Sequence, residues 1–115
     1  MINTDSPRAG PALALELRRG TLVLAVLSAL RRLPACGADL RDALNRFGIP
    51  IEEGALYPML RRLESQGILA SERRMEGSRH KRIYALTADG DGVHSHMLAQ
   101  WHQLDAGLTA ILEET

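Results

Sequence analysis

The chain has 115 residues, 45% of them apolar and 24% charged, which suits one soluble globular domain, or one domain with a short appendage. One phenylalanine, two tyrosines and one tryptophan leave the core to aliphatic side chains, the single Cys36 excludes an internal disulfide and offers no metal-ligand pair, and the longest mostly apolar run, residues 21–30, is about half the ~20 residues that a membrane-spanning helix needs. The net charge of +0 conceals a gradient, because Arg61, Arg62, Arg73, Arg74, Arg79, Lys81 and Arg82 outweigh Glu64, Glu72 and Glu76 to give residues 61–86 a charge of +4, whereas Asp89, Asp91, Asp105, Glu113 and Glu114 give residues 87–115 a charge of −5; a basic middle and an acidic tail point to two jobs in two places.

Residues 1–12, MINTDSPRAGPA, lack the basic start and apolar run of a secretory signal and read as a disordered leader. Cytoplasm is the expected location. The next segment, 13–33, is a helix: Leu22, Val23, Val26, Leu27 and Leu30 are apolar over so much of its circumference that it belongs in the middle of a small core. Pro34 ends it. Cys36 then reads as a small buried hydrophobe in a reducing compartment rather than a redox sensor. Residues 38–47 form a shorter helix, with Leu40, Leu44 and Phe47 repeating at four and three and Gly48 as its stop. Residues 53–66 form a third, with Leu56, Leu60 and Leu63 on one face and Gly67 closing it.

Two short helices joined by a Gly/Pro-containing turn make a helix-turn-helix candidate. Pro58 lies inside the second of them, near its fourth or fifth position, and lacks the N–H of a helix interior. The carbonyl it displaces belongs to Gly54, whose backbone shifts most easily. Two readings follow. Pro58 sets the angle at which Tyr57 enters a DNA groove, or it marks the true helix start while Tyr57 packs on the wing, the hairpin that follows.

ILASERRM (68–75) and RIYALT (82–87) have strand character, and EGSRHK between them holds the turn formers Gly77 and Ser78, which makes a basic β-hairpin. A helix-turn-helix followed by such a hairpin is the winged-helix plan. Thr87 is a good N-cap for a last helix, and Asp89 and Asp91 suit its first turn. Val93, Met97, Trp101, Leu104, Leu108 and Ile111 then run at spacings of four, four, three, four and three as one apolar seam. A domain this small cannot cover so long a stripe alone, so a second copy in a two-fold homodimer is the expected cover. The expected fold is mainly α with a small β-hairpin: a winged helix-turn-helix at 13–87 and a dimerisation helix at 88–115.

No catalytic constellation emerges, because the serines lack a Gly-x-Ser-x-Gly context and no phosphate-cradling loop occurs. No cofactor is expected. His94, His96 and His102 lack ligand spacing and read as solvated rather than metal-binding. The basic cluster carries the functional expectation. Arg73, Arg79, Lys81 and Arg82 suit phosphate contact, which positions a protein on double-stranded DNA without reading sequence. Arg61 and Arg62 read guanine edges, or else pair with Glu64 and Ser65 on the helix surface. Gly54, Tyr57 and Pro58 complete the DNA-facing set. On the last helix Met97, Trp101, Leu104 and Leu108 are the ligand or dimer-interface residues, with Trp101 serving as seam, ligand platform or both.

These residues carry a resemblance. Gly54-Ala55-Leu56-Tyr57-Pro58, then Leu60-Arg61-Arg62-Leu63-Glu64 and Gly67, resembles the signature of the PadR family of bacterial transcriptional regulators. Arg82-Ile83-Tyr84-Ala85-Leu86-Thr87 with Gly90 resembles that family's second wing strand and the start of its last helix. Gly20-Thr21-Leu22 and Gly37-Ala38-Asp39-Leu40 match its first two helices, so the likeness spans residues 13–112. Departures lie at Ala38, where members usually have an aromatic, and near Glu52 and Ala55, where they often have Ser or Thr. The single last helix resembles the small subfamily, which dimerises through it, and Trp101 matches a tryptophan that lines a drug site at the dimer centre. The resemblance implies a repressor, released from DNA when a small apolar or aromatic inducer binds. The competing reading is a winged-helix module that docks protein rather than DNA through its last helix.

Overall fold

The computed structural model describes residues 8–114. Four helices and a hairpin follow in the order α1 (Ala9–Arg32), α2 (Gly37–Arg46), α3 (Glu53–Ser65), β1 (Leu69–Glu76), β2 (Arg79–Leu86) and α4 (Ala88–Glu113). The fold is the expected winged helix-turn-helix with a long final helix. Its core is aliphatic: Val26, Leu27 and Leu30 of α1 meet Leu40 and Leu44 of α2, Leu56, Leu60 and Leu63 of α3, and Leu69, with Tyr84 as the buried aromatic. Among the described residues no helix is long and apolar enough to cross a membrane.

The helix-turn-helix is punctuated by two glycines. Gly48 (φ 76°) and Gly67 (φ 77°) both adopt left-handed backbone. Each closes its helix in the same way, with Ile49 N bonded to Leu44 O and Ile68 N to Leu63 O. These bonds satisfy carbonyls of the last turn and fix the direction in which the chain leaves.

Three details differ from the sequence reading. α1 begins at Ala9, so residues 9–12 are helical rather than leader, while residues 1–7 of that leader lie outside the described residues. Pro11 is no obstacle there, because the first amides of a helix have no internal acceptor. Pro58 lies inside α3, deeper than the expected fourth or fifth position; the helix runs on through it, one turn after the exposed Gly54. The hairpin is also tighter than EGSRHK suggests. Its strands pair from Leu69↔Leu86 to Glu76↔Arg79, leaving only Gly77 and Ser78 as the turn. Gly77 has φ 63°, and positive φ at the first central residue of a two-residue turn matches the twist of paired strands. The free edge of β2 gains one further rung, because Ala35 and Tyr84 exchange hydrogen bonds of 3.1 and 2.9 Å.

The last helix is divided in two. Its root is tied down: the Thr87 side chain caps it at Gly90 N, Arg31 bridges Asp91 at 2.8 Å, and His94 shares a 2.9 Å hydrogen bond with Ser28 of α1. His94 is only 6% exposed, so the expectation that it is solvated is corrected. Val93 and Met97 pack on the core. Beyond them, residues 99–114 are exposed on every side, as are residues 9–20 of α1.

Candidate nucleic-acid interface

Burial of Leu56, Leu60 and Leu63 turns Gly54, Ala55, Pro58, Arg61 and Arg62 of α3 outward. Tyr57 is not on that open face. It is half-buried, and a Cβ added to Gly37 at the start of α2 would lie 2.5 Å from its ring. Of the two readings, Tyr57 therefore packs, although on α2 rather than on the wing, and it sets how α2 and α3 meet. At the entry to α3, Arg41 Nη1 holds the Glu53 carboxylate at 2.7 Å, which offsets negative charge where a phosphate would approach.

The guanidinium groups of Arg61 and Arg62 make no hydrogen bond or ion pair with other described residues. Their expected surface partners are engaged elsewhere: Ser65 Oγ donates to the Arg62 carbonyl at 2.8 Å, and Glu64 accepts from Ser71 Oγ at 2.6 Å. Ser71 in turn accepts from Arg82 Nη1 at 2.9 Å. This chain of Glu64, Ser71 and Arg82 runs from α3 to both strands and fixes the wing against the helix.

Strand alternation sets Arg73 and Arg82 on the face that also carries Leu69, Ser71 and Tyr84. The register places Arg73 directly opposite Arg82 and Arg74 directly opposite Lys81. Like charges facing each other across a ladder are destabilising. Three of the four are relieved within the protein: Arg74 by Glu72 at 2.6 Å, Lys81 by Glu76 at 2.6 Å, and Arg82 through Ser71. The hydrogen bond and charge of Glu76 raise the Lys81 pKa above its ordinary value, so its ammonium stays charged. Arg73 has no such partner among the described residues, and neither has Arg79 at the turn. On the same face as Arg73 and Arg82, Tyr84 keeps its phenol neutral, its pKa raised first by burial and then by the Glu64 carboxylate.

The expected ligand or dimer residues separate. Met97 packs on the core and belongs to the root of α4. Trp101 is 41% exposed, and Leu104 and Leu108 are 61% and 55% exposed. Trp101, Leu98 and Phe47 are among the residues that line an open groove of about 1360 Å³ between α1, α2 and α4. The guanidinium carbons of Arg32 and Arg46 each lie 5.8 Å from the Phe47 ring centroid, at the outer range for a cation–π contact. Sequence reasoning missed this cluster and the Glu64–Ser71–Arg82 chain, because neither follows from spacing along one element. Among the described residues no group of three His, Cys, Asp or Glu side chains could hold a metal ion.

A family model described as the PadR-like transcriptional regulator family matches residues 26–95, more than half of the chain. A transcriptional regulator of Mycobacterium tuberculosis is 37% identical over 75 residues, which is 65% of this chain and 70% of that protein. The crystal structure of a PadR family transcriptional regulator from Eggerthella lenta is 50% identical, with a TM-score of 0.81 over 91% of this chain and 93% of that one. A PadR-like regulator from Bacillus cereus, 19% identical, superposes with a TM-score of 0.78 over 84% of this chain and 96% of its own, a likeness of fold alone.

Proposed function

The chain belongs to the PadR-like family of transcriptional regulators, and we propose that it works as a homodimeric, sequence-specific repressor that a small apolar or aromatic ligand releases from DNA. α3 enters the major groove by its N-terminal half. Ala55 and Pro58 offer apolar contact there, and Arg61 and Arg62 offer donors to guanine edges. The hairpin lies on the backbone, where Arg73, Arg79, Lys81 and Arg82 meet phosphates. Gly54 gives close approach at the helix start, and Tyr57 acts by holding α3 on α2 rather than by touching DNA.

The observation that carries this reading is Arg73. A cation placed opposite another cation, without a partner among the described residues, is a poor way to build a hairpin and a good way to meet a polyanion. A protein-docking wing would gain nothing from it.

The homodimer rests on the exposed apolar faces. Leu104, Leu108 and Ile111 on the outer half of α4 share that segment with Asp105, Glu113 and Glu114 and with no Lys or Arg. Leu13, Leu15 and Leu17 on the outer half of α1 are also exposed, and share theirs with Arg8, Arg18 and Arg19 against Glu16 alone, a charge of +2. Two apolar surfaces of opposite charge on one chain suit each other in a two-fold pair, where each contact occurs twice. Trp101 then stands at the mouth of the interface, with its groove beside it, as the platform for a flat ligand. Ligand binding releases DNA only if it favours a different angle between the two copies.

The test is fluorescence anisotropy with labelled DNA from upstream of the chain's own coding region, at several salt concentrations, beside a scrambled duplex. Binding that prefers the native sequence and weakens steeply with salt supports the regulator. Equal, salt-insensitive binding to both favours the protein-docking module. A Trp101→Ala dimer that still releases DNA in full response to a ligand found by Trp101 fluorescence would remove the pocket from the account.

A further inference from the structure

We propose that Thr87 and Gly90 form a rigid joint between α3 and α4, with Thr87 as the positioning residue that fixes the angle between the recognition helix and the helix that reaches the partner copy. The end of α3 supplies one half of the joint. Its closing turn uses the amides of Gly67 and Ile68, bonded to Glu64 O and Leu63 O at 3.0 Å each, and leaves the carbonyls of Gly67 and Ile68 pointing away from the helix.

Thr87 takes up both. Its amide donates to Ile68 O at 3.1 Å. Its Oγ1 lies 2.6 Å from Gly67 O and 3.1 Å from Ile68 O, and so shares its one proton between them. The same oxygen accepts from Gly90 N at 2.9 Å. One hydroxyl thus caps α4 while holding the turn that follows α3. An ordinary N-cap oxygen serves only its own helix.

Gly90 closes the joint sterically. It is buried, and a Cβ there would collide with the Ile68 carbonyl oxygen and lie 3.2 Å from Leu86 Cδ2. The backbones of α4 and of the α3–β1 turn are therefore in contact without an intervening side chain. Higher on the same helix, Arg31 with Asp91 at 2.8 Å and Ser28 with His94 at 2.9 Å stop rotation against α1.

The consequence is one of leverage. With a rise of ~1.5 Å per residue α4 is roughly 39 Å long, so a tilt of about 5° at its root moves its outer end by about 3 Å. That is close to the ~3.4 Å step between base pairs. A joint that forbids such a tilt makes the separation of two recognition helices selective at the level of one base pair. This last consequence rests on the proposed DNA-binding dimer, whereas the joint itself is a property of one chain.

The experiment therefore measures one chain. Spin labels are placed at Ser65→Cys on α3 and Gln103→Cys on α4 in a Cys36→Ala background, and the labelled protein is diluted into unlabelled protein so that pulsed dipolar spectroscopy reports the distance within a subunit. A single narrow distribution is expected. Thr87→Ser, which keeps the hydroxyl, should match it, whereas Thr87→Val should broaden it. Gly90→Ala should shift its mean, because the added Cβ must push α4 off Ile68. Circular dichroism checks that each variant retains its helices. A folded Thr87→Val protein with a distribution as narrow as the parent overturns the proposal. Where Thr87→Val does not fold, an unmoved mean in Gly90→Ala does the same. Failure of DNA binding in the parent chain would leave these distances unchanged, so the two readings fail separately.

Discussion

Replacing Arg73 with glutamine separates stability from DNA binding. In the free protein Arg73 faces Arg82 across the hairpin and has no anion to meet among the described residues, so its loss relieves a repulsion. The melting temperature should stay level or rise. On DNA the same change removes one phosphate contact per subunit, hence two per dimer. At a slope of about 0.9 per contact, the dependence of log affinity on log salt should become shallower by roughly 1.8. Over a fourfold increase in salt, the parent should therefore lose roughly twelvefold more affinity than the variant. Anisotropy titrations of both proteins on one duplex measure this directly. Preference for the native over the scrambled sequence should survive, because phosphate contacts position without reading bases. An unchanged salt slope together with a lower melting temperature would refute the reasoning, since Arg73 would then be holding the hairpin together.

Other outcomes follow from particular contacts. Leu108→Asp places a charge in the proposed seam and should shift the protein from dimer to monomer in sedimentation velocity, with circular dichroism showing the winged helix intact. Gly37→Ala drives a Cβ into the Tyr57 ring at 2.5 Å and should lower the melting temperature, at a cost of about 1–3 kcal/mol for overpacking; Tyr57→Ala should cost less in that background than in the parent, as expected for residues in contact. Tyr84 gives a pH dependence. Its folded pKa lies above the ordinary 10.0, so its contribution to stability is fully present below that value and is lost as pH rises toward the folded pKa, because the unfolded chain ionises first. Urea titrations across this alkaline range should show stability falling more steeply in the parent than in Tyr84→Phe, and equal slopes would remove Tyr84 as the cause.

Much of this architecture is written in local chemistry. Gly48 and Gly67 stop their helices because only a left-handed residue lets the last carbonyls find partners, and Thr87 starts α4 because its oxygen meets a free amide. Such signals are read without knowing what lies across the fold. The readings that changed all depend on a second element. Tyr57 faces outward on an isolated α3, and only the missing Cβ of Gly37 gives it a place on α2. His94 looks solvated beside His96 and His102. Its burial was nonetheless visible in outline, since Gly90, His94, Met97 and Trp101 fall on one helical face. Residues 9–12 are helical although they hold Gly10 and Pro11, because proline is harmless in a first turn. The Glu64–Ser71–Arg82 chain left no trace in spacing, because it joins a helix to two strands whose register must be known first.

The central claim is that two copies of this chain present two α3 helices to one duplex in fixed relation. Selection of bound sequences by the full chain from a randomised DNA library tests it most directly. The account expects one enriched motif in two inverted halves, with centres about one helical turn, ~34 Å, apart. A library that emerges without enrichment, or with a single unpaired half, would contradict it.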